Sequence, residues 1–283
     1  MIFIAGFVAI FLLFWLIVSA VGPLYERALK RAANWTASFR YRDYLPVFLL
    51  LAAGVAATML AGDVFIDIAE RVQAESSQLH QIDGEVHAWA RETRTGGATT
   101  FFTIMTVIGT PVGLACIICA MTFYLALQKR WRWAGYLFFT GGVGGLLNLW
   151  LKSTFARARP ELAEALRDAH GYSFPSGHAM GSTIVFGALS YLAFRIFKTW
   201  RVRAIAVAFT ISMIVAIAAS RIYLGVHWIS DIGGGISAGI VWLAATTVAY
   251  EAFRRIRLVR ALRAKAVPAQ EEAASSLRTS RGE

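Results

Sequence analysis

Apolar residues in this chain come in long, nearly unbroken blocks rather than in one-sided stripes. Runs of about 20 residues recur at 2–22, 46–66, 108–127, 132–151, 179–197, 203–220 and 230–250. At about 1.5 Å rise per residue, each is long enough to cross a bilayer core of about 30 Å. The pattern predicts an all-α polytopic bundle of seven membrane-spanning helices. A membrane β-barrel would show short alternating segments instead. Prolines punctuate the blocks: Pro23, Pro46, Pro160 and Pro175 fall at or just outside span ends. Pro111 is the exception. Thr110-Pro111 either caps and starts the third span, leaving Thr99–Ile108 as a shorter interfacial piece, or kinks one longer helix.

Composition agrees with this reading. The chain has 283 residues, 57% hydrophobic and 16% charged, whereas soluble domains carry roughly a quarter charged residues. The net charge of +11 is distributed as in a membrane protein, not as in a nucleic-acid binder. Arg27, Lys30, Arg31, Arg40 and Arg42 lie between spans one and two. Lys129, Arg130 and Arg132 lie between three and four, and Lys198, Arg201 and Arg203 between five and six. Arg254, Arg255, Arg257, Arg260, Arg263 and Lys265 follow span seven. Seven alternating helices put all of these on one side, which the positive-inside rule assigns to the cytoplasm. The N-terminus is then outside and the C-terminus inside. Residues 152–178 and 221–229 fall on the external side, where their basic residues break the charge rule. An anionic ligand is the natural reason for them.

Val18-Ser19-Ala20 resembles a signal-peptide cleavage site. The segment before it lacks a positive n-region, and cleavage would leave the basic 27–42 stretch outside, so a retained helix is expected. Cys116 and Cys119 lie mid-span without companion ligands and read as small packing residues. The tail from Val267 to Glu283 is rich in Ala, Ser and Glu, a composition that predicts disorder.

Three polar clusters face the external side. The first, Lys152-Ser-Thr-Phe-Ala-Arg157-Ala-Arg159-Pro160, ends span four. Snorkelling to headgroups would account for such residues at a helix end. Pro160, however, biases Arg159 toward extended backbone, so a point charge and a planar fork can converge on a phosphoryl group. Asn148, one turn earlier, either orients Lys152 or packs between helices. The second cluster, Tyr172-Ser-Phe-Pro175-Ser176-Gly177-His178, leads into span five. Ser176 fits an N-cap, and its hydroxyl with the N–H groups of Gly177 and His178 would make an anion site at the positive end of the helix dipole.

The third cluster is Ser220-Arg221-x5-His227-x3-Asp231. On a helix, His227 and Asp231 would share a face, and the carboxylate would hold the imidazole in one tautomer. Gly233, Gly234, Gly235 and Gly239, with Gly141, Gly142, Gly144 and Gly145, form small-residue faces that read as close helix packing. Together the clusters supply three cations, a helix N-terminus, two histidines and one carboxylate. Phosphoryl transfer matches this set best. His227 would attack phosphorus, supported by Asp231, and His178 would protonate the leaving oxygen and then activate water. With Asp231 engaged by His227, no metal site and no cofactor are expected.

Lys152-x6-Arg159-Pro160, Pro175-Ser176-Gly177-His178 and Ser220-Arg221-x5-His227-x3-Asp231 resemble the three signature motifs of the type 2 phosphatidic acid phosphatase (PAP2) superfamily, in the family's order and with every position filled. The resemblance implies a six-helix core at 45–253, phosphate binding by Lys152, Arg159, Arg221, Ser176 and Gly177, an acid/base at His178 and a nucleophile at His227 with Asp231. It also implies magnesium-independent action on lipid phosphates. Outside that core lie an extra N-terminal helix at 1–22, a basic cytoplasmic loop at 23–44 and a basic then disordered tail at 254–283. The expected substrate is a lipid phosphate or diphosphate of the undecaprenyl diphosphate, phosphatidylglycerol phosphate, phosphatidic acid or lipid A type. The expected setting is a bacterial inner membrane with the site on its periplasmic side. A phosphotransferase would use the same residues. The related vanadate haloperoxidases are mostly soluble, and an anion transporter would place its polar groups deeper.

Overall fold

A computed structural model describes residues 2–35, 45–160, 165–167 and 169–280 of the chain. Among these residues the structure is wholly helical. The helices are α1 (Ile2–Trp35), α2 (Leu45–Gln73), α3 (Ser77–Glu92), α4 (Gly96–Ile108), α5 (Pro111–Leu127), α6 (Trp131–Phe155), α7 (Gly177–Ile196), α8 (Trp200–Tyr223) and α9 (Ile229–Ser280). Six of them, α1, α2, α6, α7, α8 and α9, are each long and apolar enough to cross a membrane. The pair α4–α5, bent by 54°, makes a seventh crossing if counted as one span.

That bend answers the question left open at Pro111. Thr110 has extended backbone, its hydroxyl accepts from the Gly113 N–H at 3.0 Å, and Pro111 occupies the first turn of a new helix. Proline costs nothing there, because its missing N–H would have had no intrahelical partner. Gly109 sits at the break, where a Cβ would stand 2.4 Å from Ile217 and 3.0 Å from the His178 ring. The break is thus packed directly against a residue of the second polar cluster.

The centre of the bundle is α7, which packs against α5, α6, α8 and α9. Its residues Ala179, Met180, Ser182, Thr183, Ile184, Val185 and Phe186 are all buried, as expected of a helix that is apolar all round. Glycines let α9 approach it closely. A Cβ at Gly235 would stand 2.7 Å from the Ser176 carbonyl, and one at Gly239 3.0 Å from that of Met180. On α6, Gly144 packs on Ile184 and Trp242. Gly142 and Gly145 do not fit the packing expectation, since nothing lies within 4 Å of a Cβ at either. Cys116 and Cys119 are likewise exposed on the outside of α5 rather than packed.

Two expected boundaries move. α1 continues past Pro23 to Trp35, so the first part of the 23–44 loop is helix; Arg40 and Arg42 lie outside the described residues. α9 runs to Ser280 through the segment whose composition predicts disorder. Extending an existing helix needs no new nucleus, and Ala, Glu and Gln favour it, although the run includes Pro268. Residues 281–283 lie outside the described residues.

α1 leans on α8. Trp200 covers Gly22 and donates its indole N–H to the Val18 carbonyl at 2.8 Å. α3 is a short amphipathic helix outside the spans, with Leu79, Asp83 and Ala90 buried, and it packs on α8 and α9.

Candidate active site

The C-terminal ends of α6 and α8 and the N-terminal ends of α7 and α9 meet at one end of the bundle, and the three polar clusters meet with them. α6 stops at Ala156 in the left-handed conformation (φ 46°), four residues before Pro160. Lys152 remains in its last turn and donates to the carbonyls of Tyr172 and Ser173. Beyond the cap the chain leaves the helix before Pro160, and Arg159 reaches the other clusters. That guanidinium donates to the carbonyls of Gly171 at 2.9 Å, His170 at 3.1 Å and Val226 at 2.8 Å. Its Nη1 also lies 3.2 Å from His227 Nε2.

Ser176 caps α7 with extended backbone (φ −66°, ψ 118°), its hydroxyl facing the Ala179 N–H. Its own N–H donates to the Asp231 carbonyl at 3.0 Å, tying the starts of α7 and α9 together. Gly177 is needed for a reason beyond ligand access: a Cβ there would stand 2.8 Å from Asn148 Oδ1. Asn148 donates to the Pro175 carbonyl and Met180 sulfur, so it braces this turn and does not bond Lys152. The His178 ring is hydrogen-bonded to the Thr106 backbone, and its Nε2 has no protein partner.

Arg221 is buried in the last turn of α8, where Nη1 donates to the Thr106 hydroxyl and Nε has no protein partner. His227 and Asp231 are buried across the α8–α9 turn, with Nδ1 3.0 Å from Asp231 Oδ2. The same carboxylate accepts from the Trp228 N–H at 2.9 Å and from the Ser173 hydroxyl. This network assigns the imidazole proton to Nδ1 and leaves the Nε2 lone pair toward Arg159. Burial pushes the His227 imidazole down to about 4, against the pull of Asp231. Burial also lowers Arg159, again opposed by Asp231. Lys152 lies within electrostatic reach of Arg159, Arg221 and Asp231, and His178 within reach of Arg221, His227 and Arg159. Lys152, Arg159, Ser176, Gly177, His178, Arg221, His227 and Asp231 therefore share one site.

Residues 132–255 match the family model described as the PAP2 superfamily. That segment holds all three polar clusters and is similar to the PAP2 superfamily domain. Phosphatidylglycerophosphatase B of Bacillus subtilis is 29% identical over 206 residues, which cover 70% of this chain and 91% of that protein. Lipid A 1-phosphatase of Rhizobium johnstonii is 34% identical over 131 residues, 43% of this chain and 49% of its own length. The crystal structure of the transmembrane PAP2 type phosphatidylglycerolphosphate phosphatase from Bacillus subtilis superposes with a TM-score of 0.61 at 25% identity. It matches 69% of this chain and 96% of that one.

Four polar residues of this site escaped the sequence reading. Arg157 stands in the first cluster but has other partners than Lys152 and Arg159: it donates to Asp231 Oδ1 at 2.8 Å, Ser230 Oγ at 2.7 Å and Asp83 Oδ2 at 2.7 Å. Ser173, within the second cluster, serves Asp231. Asp83 is a carboxylate on the buried face of α3, one turn from Leu79. That position, a charge four residues after an apolar one on the same helix face, was its only sequence signal. Thr106 had none, being one threonine among several in an apolar helix.

Proposed function

We propose that this membrane protein hydrolyses a lipid phosphate or diphosphate through a phosphohistidine on His227. The observation that carries the reading is the placement of His227 between Asp231 on Nδ1 and the Arg159 fork beside Nε2. A nucleophile at Nε2 needs a free lone pair, and a neutral, Nδ1-protonated imidazole has one. Lys152, Arg159 and Arg221, with the start of α7, would hold the phosphoryl oxygens and take up charge as it spreads over them. The N–P bond forms as the P–O bond to the lipid breaks. His178 Nε2, carrying a proton drawn to it by the bound phosphate, gives that proton to the leaving oxygen. It then takes a proton from water, whose oxygen attacks phosphorus, breaks the N–P bond and releases inorganic phosphate.

The lipid character of the substrate is supported by the names of the two relatives and by an apolar cavity of about 320 Å³ between α5, α6 and α7. It runs from Leu114 and Ile118 past Gly142 and Gly145 to Asn148 and Gly177, beside Lys152. Phosphatidylglycerol phosphate, lipid A, phosphatidic acid and undecaprenyl diphosphate all combine a phosphoryl head with a tail of this kind. The site faces the exterior of a bacterial inner membrane in this reading, because the basic span-flanking residues of the sequence lie at the other end. The proposed mechanism uses no metal ion, and Asp83 and Asp231 serve in it as partners of Arg157.

The test is release of phosphate by purified protein in detergent with EDTA present, for wild type and His227→Ala. The substitution should abolish release while thermal unfolding stays cooperative. Wild-type turnover by His227→Ala would remove the nucleophile, and strict dependence on added divalent metal would remove the metal-free mechanism.

A further inference from the structure

We propose that Asp83, on the surface helix α3, is a positioning residue for the reaction, acting through Arg157 and Ser230 on the Asp231–His227 pair. Asp83 is 1% exposed and lies far from the three motifs in sequence. Its Oδ1 accepts from the Ser230 N–H at 3.0 Å and its Oδ2 from the Ser230 hydroxyl at 2.7 Å. Its Oδ2 also pairs with Arg157 Nη2 at 2.7 Å. Arg157 Nη1 reaches Asp231 Oδ1 at 2.8 Å, and Asp231 Oδ2 holds His227. One guanidinium thus bridges two buried carboxylates, with its ring-facing side near Trp228 at 5.9 Å.

The charge count explains why the second carboxylate is there. Arg157 alone would neutralise Asp231, and a neutralised Asp231 is a weaker partner for the imidazole proton. Asp83 takes up the Arg157 charge, so Asp231 keeps its basicity toward His227. Asp83 also fixes Ser230, in the first turn of α9, whose next residue is Asp231. A helix outside the spans therefore sets both the position and the charge of the group behind the nucleophile. Simple burial of α3 would have been served at lower desolvation cost by an apolar residue at this position.

The proposal rests on the His227 mechanism, and its test separates the two. Release of phosphate from phosphatidylglycerol phosphate, phosphatidic acid, undecaprenyl diphosphate and lipid A is measured against pH for wild type, His227→Ala, Asp83→Asn, Arg157→Gln and the Asp83→Asn/Arg157→Gln double variant. Thermal unfolding of each is measured in the same detergent. Asp83→Asn should lower kcat by about 10- to 100-fold with KM little changed. It should also move the acid limb of kcat/KM to lower pH, because an uncompensated Arg157 adds positive potential beside His227. The groups facing His227 are otherwise unaltered: Asp231 from α9, Arg159 from the segment after α6, Lys152 from α6 and His178 from α7, with Arg221 of α8 facing His178 and Arg167 within reach of Arg221. Arg157→Gln should move the limb the opposite way, and the double variant, which removes one charge of each sign, should bring the limb back toward wild type. A wild-type rate and limb for Asp83→Asn, with His227→Ala inactive, overturns the Asp83 role alone. So does a loss that tracks unfolding temperature with no shift of the limb, and so does a double variant whose limb stays where either single variant put it. Turnover by His227→Ala, or none by wild type on any of the four lipids, overturns the underlying reading as well.

Discussion

His227 Nδ1 stands 3.0 Å from Asp231 Oδ2 across a single turn, with both side chains almost wholly buried. The pair resolves a conflict between burial, which favours the neutral imidazole, and the carboxylate, which favours the charged one. Burial prevails, and the imidazole titrates at about 4 instead of 6.5. The base form is therefore present throughout the neutral range.

A stability signature follows with a definite sign. An unfolded imidazole takes up its proton near 6.5 and the folded one only near 4. Above 6.5 this group makes no difference. As pH falls through that window the unfolded state binds the proton first, and stability is lost by about 3 kcal/mol at the lower edge. His227→Gln lacks the titrating group. Its unfolding temperature should fall less steeply than wild type between pH 6.5 and 4, measured by thermal denaturation in detergent. Parallel curves would sink the assignment.

Thr106 offers a second test. Its hydroxyl accepts from the buried Arg221 guanidinium and its backbone bonds the His178 ring, so the end of α4 orients two site residues. Thr106→Val preserves shape but removes the acceptor of the buried Arg221 Nη1, a loss of about 1–3 kcal/mol. Phosphate release should drop with it, whereas Thr106→Ser, which keeps the hydroxyl, should retain most of both. An unaltered unfolding temperature in Thr106→Val would mean that Arg221 finds another acceptor.

The contrast between Arg221 and Thr106 shows what the sequence could carry. Arg221, His227 and Asp231 were legible because charged groups beside apolar spans are costly and stand out. The spans were legible from length and apolarity alone. Thr106 and Ser173 were not, since a hydroxyl costs little in a helix or a loop and carries no sign of its partner. Asp83 and Arg157 were visible as charges, but their pairing depends on how α3 folds back over the start of α9, which no local pattern encodes. The tail after Val267 differs for a related reason: its Ala, Glu and Gln suit a helix as well as a solvated tail, and attachment to α9 carries the helix on through Pro268.

The glycines divide by what faces them. Gly235→Ala would push a methyl to 2.7 Å from the Ser176 carbonyl and 3.2 Å from the Met180 N–H, and backbone cannot step aside cheaply. It should destabilise by about 1–3 kcal/mol and lower activity by displacing the α7 cap. Gly145→Ala meets nothing within 4 Å, so helix propensity alone should leave stability unchanged or raise it by up to about 1 kcal/mol. Paired thermal unfolding curves distinguish them, and equal losses would contradict the close α7–α9 approach.

Orientation is tested by labelling in intact cells. Cys116 and Cys119 are exposed on α5, so both are first replaced by alanine to give a silent background. Tyr172→Cys then reports the site end of the bundle, where Tyr172 is 48% exposed, and Ala264→Cys reports the basic end of the chain. Basic residues flank the spans at the end away from the site, and moving them across an energised membrane is unfavourable. A membrane-impermeant maleimide should therefore modify Tyr172→Cys in intact cells and Ala264→Cys only after permeabilisation. The reverse pattern would place the phosphoryl site in the cytoplasm and its lipid in the inner leaflet.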